Sequence, residues 1–280
     1  MPETRRRIDR AGLLVLPAAL FAILVLLCPL AGLVGTSFSG LYGVAQYRRL
    51  LATPVYAQVL ERTIGTAAAT ALLCAVLAFP VAHRMAHAGR RGRAMLLGVV
   101  LLPFWTNLLV RSYGWMVLLN PKGPLNAALL QLGVIRQPLA LVYNHTGVLI
   151  GMVQIMLPYM VLPLAAVMAR IEPQAMRAAR SLGAGPVRAF LRVYLPLSLP
   201  GVMAGALLVF TVSLGFFVVP AILGGPRDML LAQLIEFNIN TTLDWPFAAA
   251  IGTVLLASTL LLYGVAVRWL GLGALWGEAR

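Results

Sequence analysis

Few side chains in this sequence are of types that could support catalysis or bind a metal. His83 and His87 stand four residues apart, a spacing that places two imidazole ligands on one helix face. No carboxylate or cysteine accompanies them, and Arg84 lies between them. Cys28 and Cys74 lie inside apolar runs, where a buried thiol is the ordinary outcome. We therefore expect no catalytic residue and no metal site.

The sequence also lacks the groups that would drive a pump or an ion-coupled carrier. Its only lysine, Lys122, is followed by glycine and cannot form the GxxxxGK[ST] loop that binds nucleotide phosphates. An ion-coupled carrier usually holds ionisable residues at mid-membrane, but the apolar runs here contain no acidic residue. We expect any energy source to reside in another chain, with no cofactor bound by this one.

Apolar residues dominate the composition, with 61% hydrophobic and only 11% charged residues. This is more apolar surface than a soluble domain can bury, so lipid is the expected solvent. Six runs are long enough to cross a hydrocarbon core of about 30 Å. They lie approximately at residues 11–38, 63–83, 94–117, 146–169, 200–223 and 245–268. We predict an all-α integral membrane protein with six transmembrane helices in one domain, residues 1–280.

The basic residues indicate how this domain crosses the membrane. Fifteen of the 22 lysines and arginines fall in the N-terminal segment, residues 84–93, residues 170–192 and the C-terminal tail. The positive-inside rule then places both termini in the cytoplasm. The basic residues that produce the net charge of +14 flank apolar runs and form no basic patch interleaved with aromatic residues. We therefore expect contact with membrane lipid and not with nucleic acid.

Two groups of residues could line a route for a solute. Arg111 lies inside or at the edge of the third run, and it either contacts a solute or gate, or snorkels to the outer interface. Aromatic rings could attract a cationic solute, or pack in the lipid headgroup belt. Carboxylates for a cation are available at Glu61, Asp228, Glu236 and Asp244. The candidate pathway residues are Phe104, Trp105, Arg111, Tyr113, Asp244 and Trp245.

The loop at residues 170–199 has an internal pattern that the other basic loops lack. Strong helix formers follow Pro173 and end at Gly183, which predicts one short helix. A second short helix is predicted from Pro186 until Leu195-Pro196 breaks it. The pair either presents a compact surface to another protein or lies on the headgroups with its arginines in anionic lipid.

The same loop resembles the EAA motif of ABC importer permeases. In that family the loop forms a coupling helix that docks into a cleft of the ATPase subunit. Arg177 stands where the family usually has glutamate, so the contact made by that glutamate must differ here. The resemblance implies an ATPase-coupling role for Arg177, Ala178, Ala179, Ser181, Leu182, Gly183 and Ala184, ahead of Phe190 and Tyr194-Leu195-Pro196.

Further stretches resemble the spermidine/putrescine-type branch of these permeases. They are Pro103 to Asn107, Val110 to Tyr113, Asn120 to Asn126, Gly224 to Pro226 and Asp244 to Ala250. The resemblance implies a type I ABC importer permease fold, located in the bacterial inner membrane. The implied solute is a polyamine or a related cationic or amino-acid-derived compound.

The resemblance also implies partners. These are a second homologous permease subunit, two ATPase subunits that bind ATP and Mg²⁺, and a soluble solute-binding protein that is periplasmic or lipid-anchored. Two other classes are compatible with six apolar helices: a stand-alone channel and a secondary carrier for a small solute. Both would operate without an ATPase.

Overall fold

The computed structural model describes the backbone of residues 3–39 and 43–269. Side chains are described from residue 16 onward within those ranges, except at positions 266, 267 and 269. The basic side chains predicted at the N-terminus and the tail after residue 269 lie outside the described part. Within the described ranges every regular element is a helix.

The described helices vary from a single turn to more than nine turns. A 3₁₀ turn at Leu102–Trp105 follows α4, and a π-helical turn at Phe190–Tyr194 joins α9 to α10. The helices are α1 (Glu3–Ser37), α2 (Ala45–Ala52), α3 (Pro54–His87), α4 (Arg90–Leu101), α5 (Leu108–Leu119), α6 (Pro124–Gln131), α7 (His145–Met168), α8 (Pro173–Ser181), α9 (Pro186–Ala189), α10 (Leu195–Leu214), α11 (Val218–Leu223), α12 (Leu231–Asn240) and α13 (Trp245–Trp269).

Within the described residues the structure supports five unbroken membrane spans and a sixth that is bent. The five lie in α1, α3, α7, the continuous helix Pro186–Leu214, and α13. The sixth consists of the segments Arg90–Trp105 and Leu108–Gln131, which meet at 96°. The all-helical membrane fold is therefore confirmed by a chain with five or six apolar helices of spanning length.

The span predicted at residues 94–117 is divided between two helices. Pro103 lies in the 3₁₀ turn, and the chain then extends through Thr106 before α5 begins. The Asn107 side chain caps α5 by accepting a hydrogen bond from the Leu109 N–H at 2.8 Å. A proline followed by a helix-capping asparagine therefore ends one helix and starts another within a single apolar run.

The predicted limits of the fifth span and of the preceding loop also differ from the structure. The predicted break at Leu195-Pro196 is wrong, because the helix runs on from Pro186 to Leu214. The Leu195 N–H bonds to the Phe190 carbonyl five residues back, which closes a π-helical turn. Pro196 follows this turn directly, so the residue that lacks an N–H lies where the regular i→i−4 ladder is already interrupted. Residues 218–223 form a separate short helix, α11.

Helix α7 forms the centre of the bundle and packs against α3 and α10. On α3, small side chains recur every three or four residues along the buried face, which lets the two backbones approach closely. The Cys74 thiol reaches the Val153 carbonyl of α7 at 3.6 Å. The buried small residues of α3 are Ala67, Ala71, Cys74, Ala78 and Ala82.

Helix α10 approaches α7 through two glycines, Gly201 and Gly205, four residues apart. A Cβ atom at Gly201 would lie 2.9 Å from the Val167 Cβ and 3.1 Å from the Leu164 Cα. A Cβ atom at Gly205 would lie 2.5 Å from the Met160 Sδ. These distances are shorter than van der Waals contact, so any side chain at either position pushes the two helices apart.

A second, smaller cluster lies at the end of α3 that begins with Pro54. Val59 of α3 packs there with Leu231 of α12 and with Phe247 and Ile251 of α13. The Thr63 hydroxyl accepts a hydrogen bond from the Leu231 N–H at 2.9 Å and thereby fixes α12 against α3. Helix α13 in turn packs against α1.

We predict that Gly201→Ala lowers stability by about 1–3 kcal/mol, because the added methyl group overpacks the contact between α10 and α7. Gly98→Ala in α4 is the matched control, since a Cβ there meets nothing within 4 Å. The control should be neutral or slightly stabilising, as alanine favours a helix over glycine. Thermal unfolding of the two purified variants in detergent measures the difference. Equal melting temperatures would contradict the packing described.

Candidate functional site

The loop that carries the predicted coupling residues is a rigid helix–turn–helix element. Helix α8 ends in a Schellman motif, in which the Ala184 N–H bonds to the Ala179 carbonyl at 3.1 Å and the Gly183 N–H bonds to the Arg180 carbonyl at 3.0 Å. Gly183 has φ = +83°, a conformation that side-chain-bearing residues rarely adopt. The prediction that Gly183 ends the helix is confirmed, and the reason is conformational.

The structure brings the seven predicted coupling residues together on this element. Arg177, Ala178, Ser181, Leu182 and Gly183 are exposed, whereas Ala179 and Ala184 are half-buried. Leu182 has 89% of its surface exposed, and the nearby Val187 of α9 has 69% exposed. Two large aliphatic side chains thus flank the glycine turn and remain mostly exposed.

Aromatic side chains fix this loop to the membrane helices. Phe190 and Tyr194 of the π-helical turn stack at 5.6 Å between ring centroids. Phe190 meets Phe79 of α3 edge-on at 5.8 Å, and Tyr194 meets His83 edge-on at 4.9 Å. Tyr194 is only 2% exposed, so this contact ties the loop to α10 and to the end of α3. This anchoring role was not predicted from the sequence, although Phe190 and Tyr194 are spaced four residues apart.

A cavity of about 400 Å³ lies between this anchor and α8. His83 and His87 line it from α3, and Arg177 and Arg180 line it from α8. The two imidazole rings are 4.5 Å apart, and the His87 Nδ1 lies 2.9 Å from the His83 carbonyl oxygen. The described residues contain no group of three or more side chains that could ligate a metal. The two histidines instead belong to the aromatic contact with Tyr194 described above.

The candidate pathway residues fall in two separate places. Phe104 and Trp105 lie at the bend between α4 and α5, where Phe104 packs edge-on against Tyr159 of α7 at 5.2 Å. Trp105 is 90% exposed. Tyr113 lies on the exposed side of α5. No aromatic contact, hydrogen bond or ion pair among the described residues joins this group to Asp244 or Trp245 at the start of α13.

Arg111 lies beside the middle of α7. One turn further along α5, Trp115 donates a hydrogen bond from Nε1 to Gln154 Oε1 at 3.4 Å, while Phe104 before it contacts Tyr159. That level is roughly 17 Å from either end of α7, by the 1.5 Å rise per residue. The Arg111 Nε is buried and has no hydrogen-bond partner among the described residues. An unpaired guanidinium at this level keeps Arg111 a candidate pathway residue.

Asp244 has two structural partners. Its Oδ1 accepts a hydrogen bond from the Phe247 N–H at 3.2 Å and so caps α13, and its Oδ2 pairs with the Arg49 guanidinium of α2 at 3.2 Å. The same guanidinium lies 4.2 Å above the Phe247 ring. Trp245 beside it is 58% exposed. Through these contacts Asp244 joins α2 to α13.

Comparison with known sequences identifies the family. Residues 78–271 match the family described as binding-protein-dependent transport system inner membrane component. The chain belongs to this family. The match includes the α8–α9 loop and the whole of the bent span, so the coupling residues and the pathway residues at the bend lie within the family's shared part.

Individual relatives of this permease agree with that assignment. The spermidine/putrescine transport system permease protein PotB of Escherichia coli is 36% identical over 260 residues, which cover 89% of this chain and 94% of PotB. PotB of Haemophilus influenzae is 37% identical over 216 residues, covering 76% of each protein. The permease is thus an inner-membrane subunit of an ABC transporter.

A solved structure shows that the fold is shared more widely. A chain of the bacterial alginate ABC transporter, crystallised with an alginate pentasaccharide-bound periplasmic protein, superposes with a TM-score of 0.74 at 16% identity. The match covers 95% of this permease and 96% of that chain. The predicted ABC importer permease fold is confirmed.

We predict that Asp244 acts mainly through the helix cap. Asp244→Asn keeps a capping oxygen and loses only an exposed ion pair, so stability should fall by less than about 1 kcal/mol. Asp244→Ala removes the cap as well and should cost about 1 kcal/mol more. Thermal unfolding of the purified permease separates the two variants. A loss in Asp244→Asn as large as that in Asp244→Ala would instead assign the main role to the charge.

Proposed function

We propose that this permease and a second homologous permease form the translocation pathway of an ATP-driven importer for a polyamine or a related cationic, amino-acid-derived solute. Two ATPase subunits bind ATP and Mg²⁺, and a soluble binding protein delivers the solute. The names of the PotB relatives support the solute class. The alginate transporter's complex with a periplasmic protein supports the delivery step.

The observation that carries the coupling role is the exposed α8–α9 turn fixed to a continuous membrane helix. Leu182 and Val187 present exposed aliphatic surface on either side of Gly183. The positive-inside rule supports placing this turn, and both termini, in the cytoplasm. Docking of the turn on an ATPase subunit buries these side chains.

The transport step follows from this connection. ATP binding closes the ATPase dimer, and the docked turn of each permease moves with it. Since helix Pro186–Leu214 is continuous and packs on α7, the movement reaches the centre of the bundle and shifts it from an inward-facing to an outward-facing state. The nucleotide biases this two-state equilibrium through the turn.

We predict that Gly183→Val uncouples transport. A β-branched residue in the left-handed conformation costs about 1–2 kcal/mol, which weakens docking by about fivefold to thirtyfold. The measurement is ATPase activity of the reconstituted importer, stimulated by the solute-loaded binding protein, together with solute uptake. Absence of any stimulation in the wild-type complex would refute the proposed function itself.

Two glycine controls separate conformation from bulk. Gly183→Asn adds a side chain but tolerates the left-handed region, and Gly185→Ala adds a methyl group at a position with φ = −61° and open space around it. Both should transport at close to the wild-type rate. Full activity in Gly183→Val would rule out a requirement for this turn geometry.

We also predict the orientation of the chain. In a background with Cys28 and Cys74 replaced, a single cysteine at Gln174→Cys, which is exposed at the start of α8 and outside the predicted coupling residues, should resist a membrane-impermeant maleimide in intact cells and react after permeabilisation. A single cysteine at Gln137→Cys, in the exposed segment between α6 and α7, should react in intact cells. The reverse pattern would invert the topology and exclude the loop from the ATPase side.

A further inference from the structure

A polar cavity of about 550 Å³ lies between the first half of α3 and the start of α7. On α3 its lining residues recur every three or four positions, so they occupy one helix face. A Cβ atom at Gly65 would meet nothing within 4 Å, so the cavity is open at that point. The lining consists of Gln58, Glu61, Arg62, Gly65, Thr66 and His145.

This cavity lies at the end of the bundle opposite the exposed α8–α9 turn around Gly183, which we call the coupling turn. Glu61 and His83 are separated along α3 by about 33 Å, and His83 contacts the anchor of the turn. The 34 residues of α3 extend about 51 Å, which exceeds the hydrocarbon thickness by about 20 Å. With α3 centred in the bilayer, Glu61 lies at the hydrocarbon boundary and Thr66 about 7 Å deeper.

Glu61 differs from the other acidic residues at this end of the bundle. Asp228 accepts a hydrogen bond from the Gly225 N–H at 3.1 Å, Glu236 accepts one from Asn240 at 3.1 Å, and Asp244 pairs with Arg49. Glu61 has no hydrogen-bond or ion-pair partner among the described residues. A carboxylate at the mouth of a cavity is therefore available for a ligand.

Thr66 supplies an unpaired group on the cavity floor. The hydroxyls of the neighbouring threonines Thr63 and Thr70 donate to helix carbonyls, at 2.7 and 2.8 Å. The Thr66 hydroxyl has no partner among the described residues, although the residue is only 1% exposed. Burial of an unsatisfied hydroxyl is unfavourable, so a group bound in the cavity gains a hydrogen bond that the protein leaves unmade.

We propose that this cavity is the entry site for an ammonium group of the solute. The Glu61 carboxylate provides the opposite charge, and the Gln58 amide and Thr66 hydroxyl oxygens accept the remaining N–H bonds, matching the three donors of a primary ammonium. The inference rests on the proposed function, which puts this end of the bundle on the side where solute arrives. It adds the residues that receive the solute.

Arg62 lines the same cavity and makes the chemistry testable. Its guanidinium repels an ammonium group, so Arg62→Gln should strengthen binding of a polyamine. A solute bound through a carboxylate would instead lose a partner, because arginine pairs with carboxylates bidentately. The direction of the Arg62→Gln effect therefore distinguishes the two kinds of ligand group.

The test is uptake of radiolabelled spermidine by the complete reconstituted importer with its binding protein. We expect Glu61→Gln to raise KM about threefold to tenfold with maximal ATPase activity unchanged, and Thr66→Val to raise it about twofold to fivefold. Arg62→Gln should lower KM. Glu236→Gln is the matched control, since it removes a carboxylate at the same end but outside the cavity, and its KM should equal that of the wild type.

Two outcomes would overturn the entry site while leaving the proposed function intact. One is spermidine uptake with an unchanged KM in Glu61→Gln. The other is a rise of KM in Arg62→Gln as large as that in Glu61→Gln. A wild-type complex that shows no ATP-dependent uptake of spermidine or putrescine would overturn the proposed solute class together with the entry site.

Discussion

The close contact of α10 and α3 with α7 is the interaction on which the rest of the structure depends. In lipid, apolar side chains gain nothing by leaving the solvent, so helices associate through dense packing instead of hydrophobic burial. The alanines of α3 and the pair Gly201 and Gly205 of α10 provide that density. The three helices form the platform to which both the coupling turn and the polar cavity are attached.

The two ends of this platform are built in different ways. At the coupling end, aromatic rings lock the loop to α3, with Tyr194 buried and Phe190 stacked upon it. At the opposite end, polar contacts join the outer helices, as Thr63 does to α12 and Arg49 to α13. The first end is thus held together as a unit, and at the second the Glu61 carboxylate has no hydrogen-bond or ion-pair partner among the described residues.

The sequence was informative wherever local chemistry decides the structure. Apolar runs predicted the membrane helices, and Gly183 predicted the end of α8, because glycine is required at the left-handed position of the turn. The bend before α5 was missed although Pro103 and Asn107 signal it, since a long apolar run masks two short helices. The π-helical turn at Phe190–Tyr194 could not be predicted, because it depends on packing against α3.

The pathway residues show where sequence reasoning stops. Asp244 was predicted from its charge and position, but its partner Arg49 is 195 residues away and only the fold brings the two together. The polar face of α3 can likewise be read in the sequence, because its residues recur every three or four positions. Its meaning depended on His145 of α7, which closes the cavity from another helix.

The continuous helix from Pro186 to Leu214 gives this protein a mechanical property. Its 29 residues form a rod about 43 Å long, with the coupling turn at one end and the far side of the membrane at the other. A tilt of about 6° about the turn would displace the distant end by roughly 4–5 Å, by the same rise per residue. The glycine contact with α7 lies partway along this rod, so a small tilt at the coupling turn becomes a larger displacement at the far end than at the centre of the bundle.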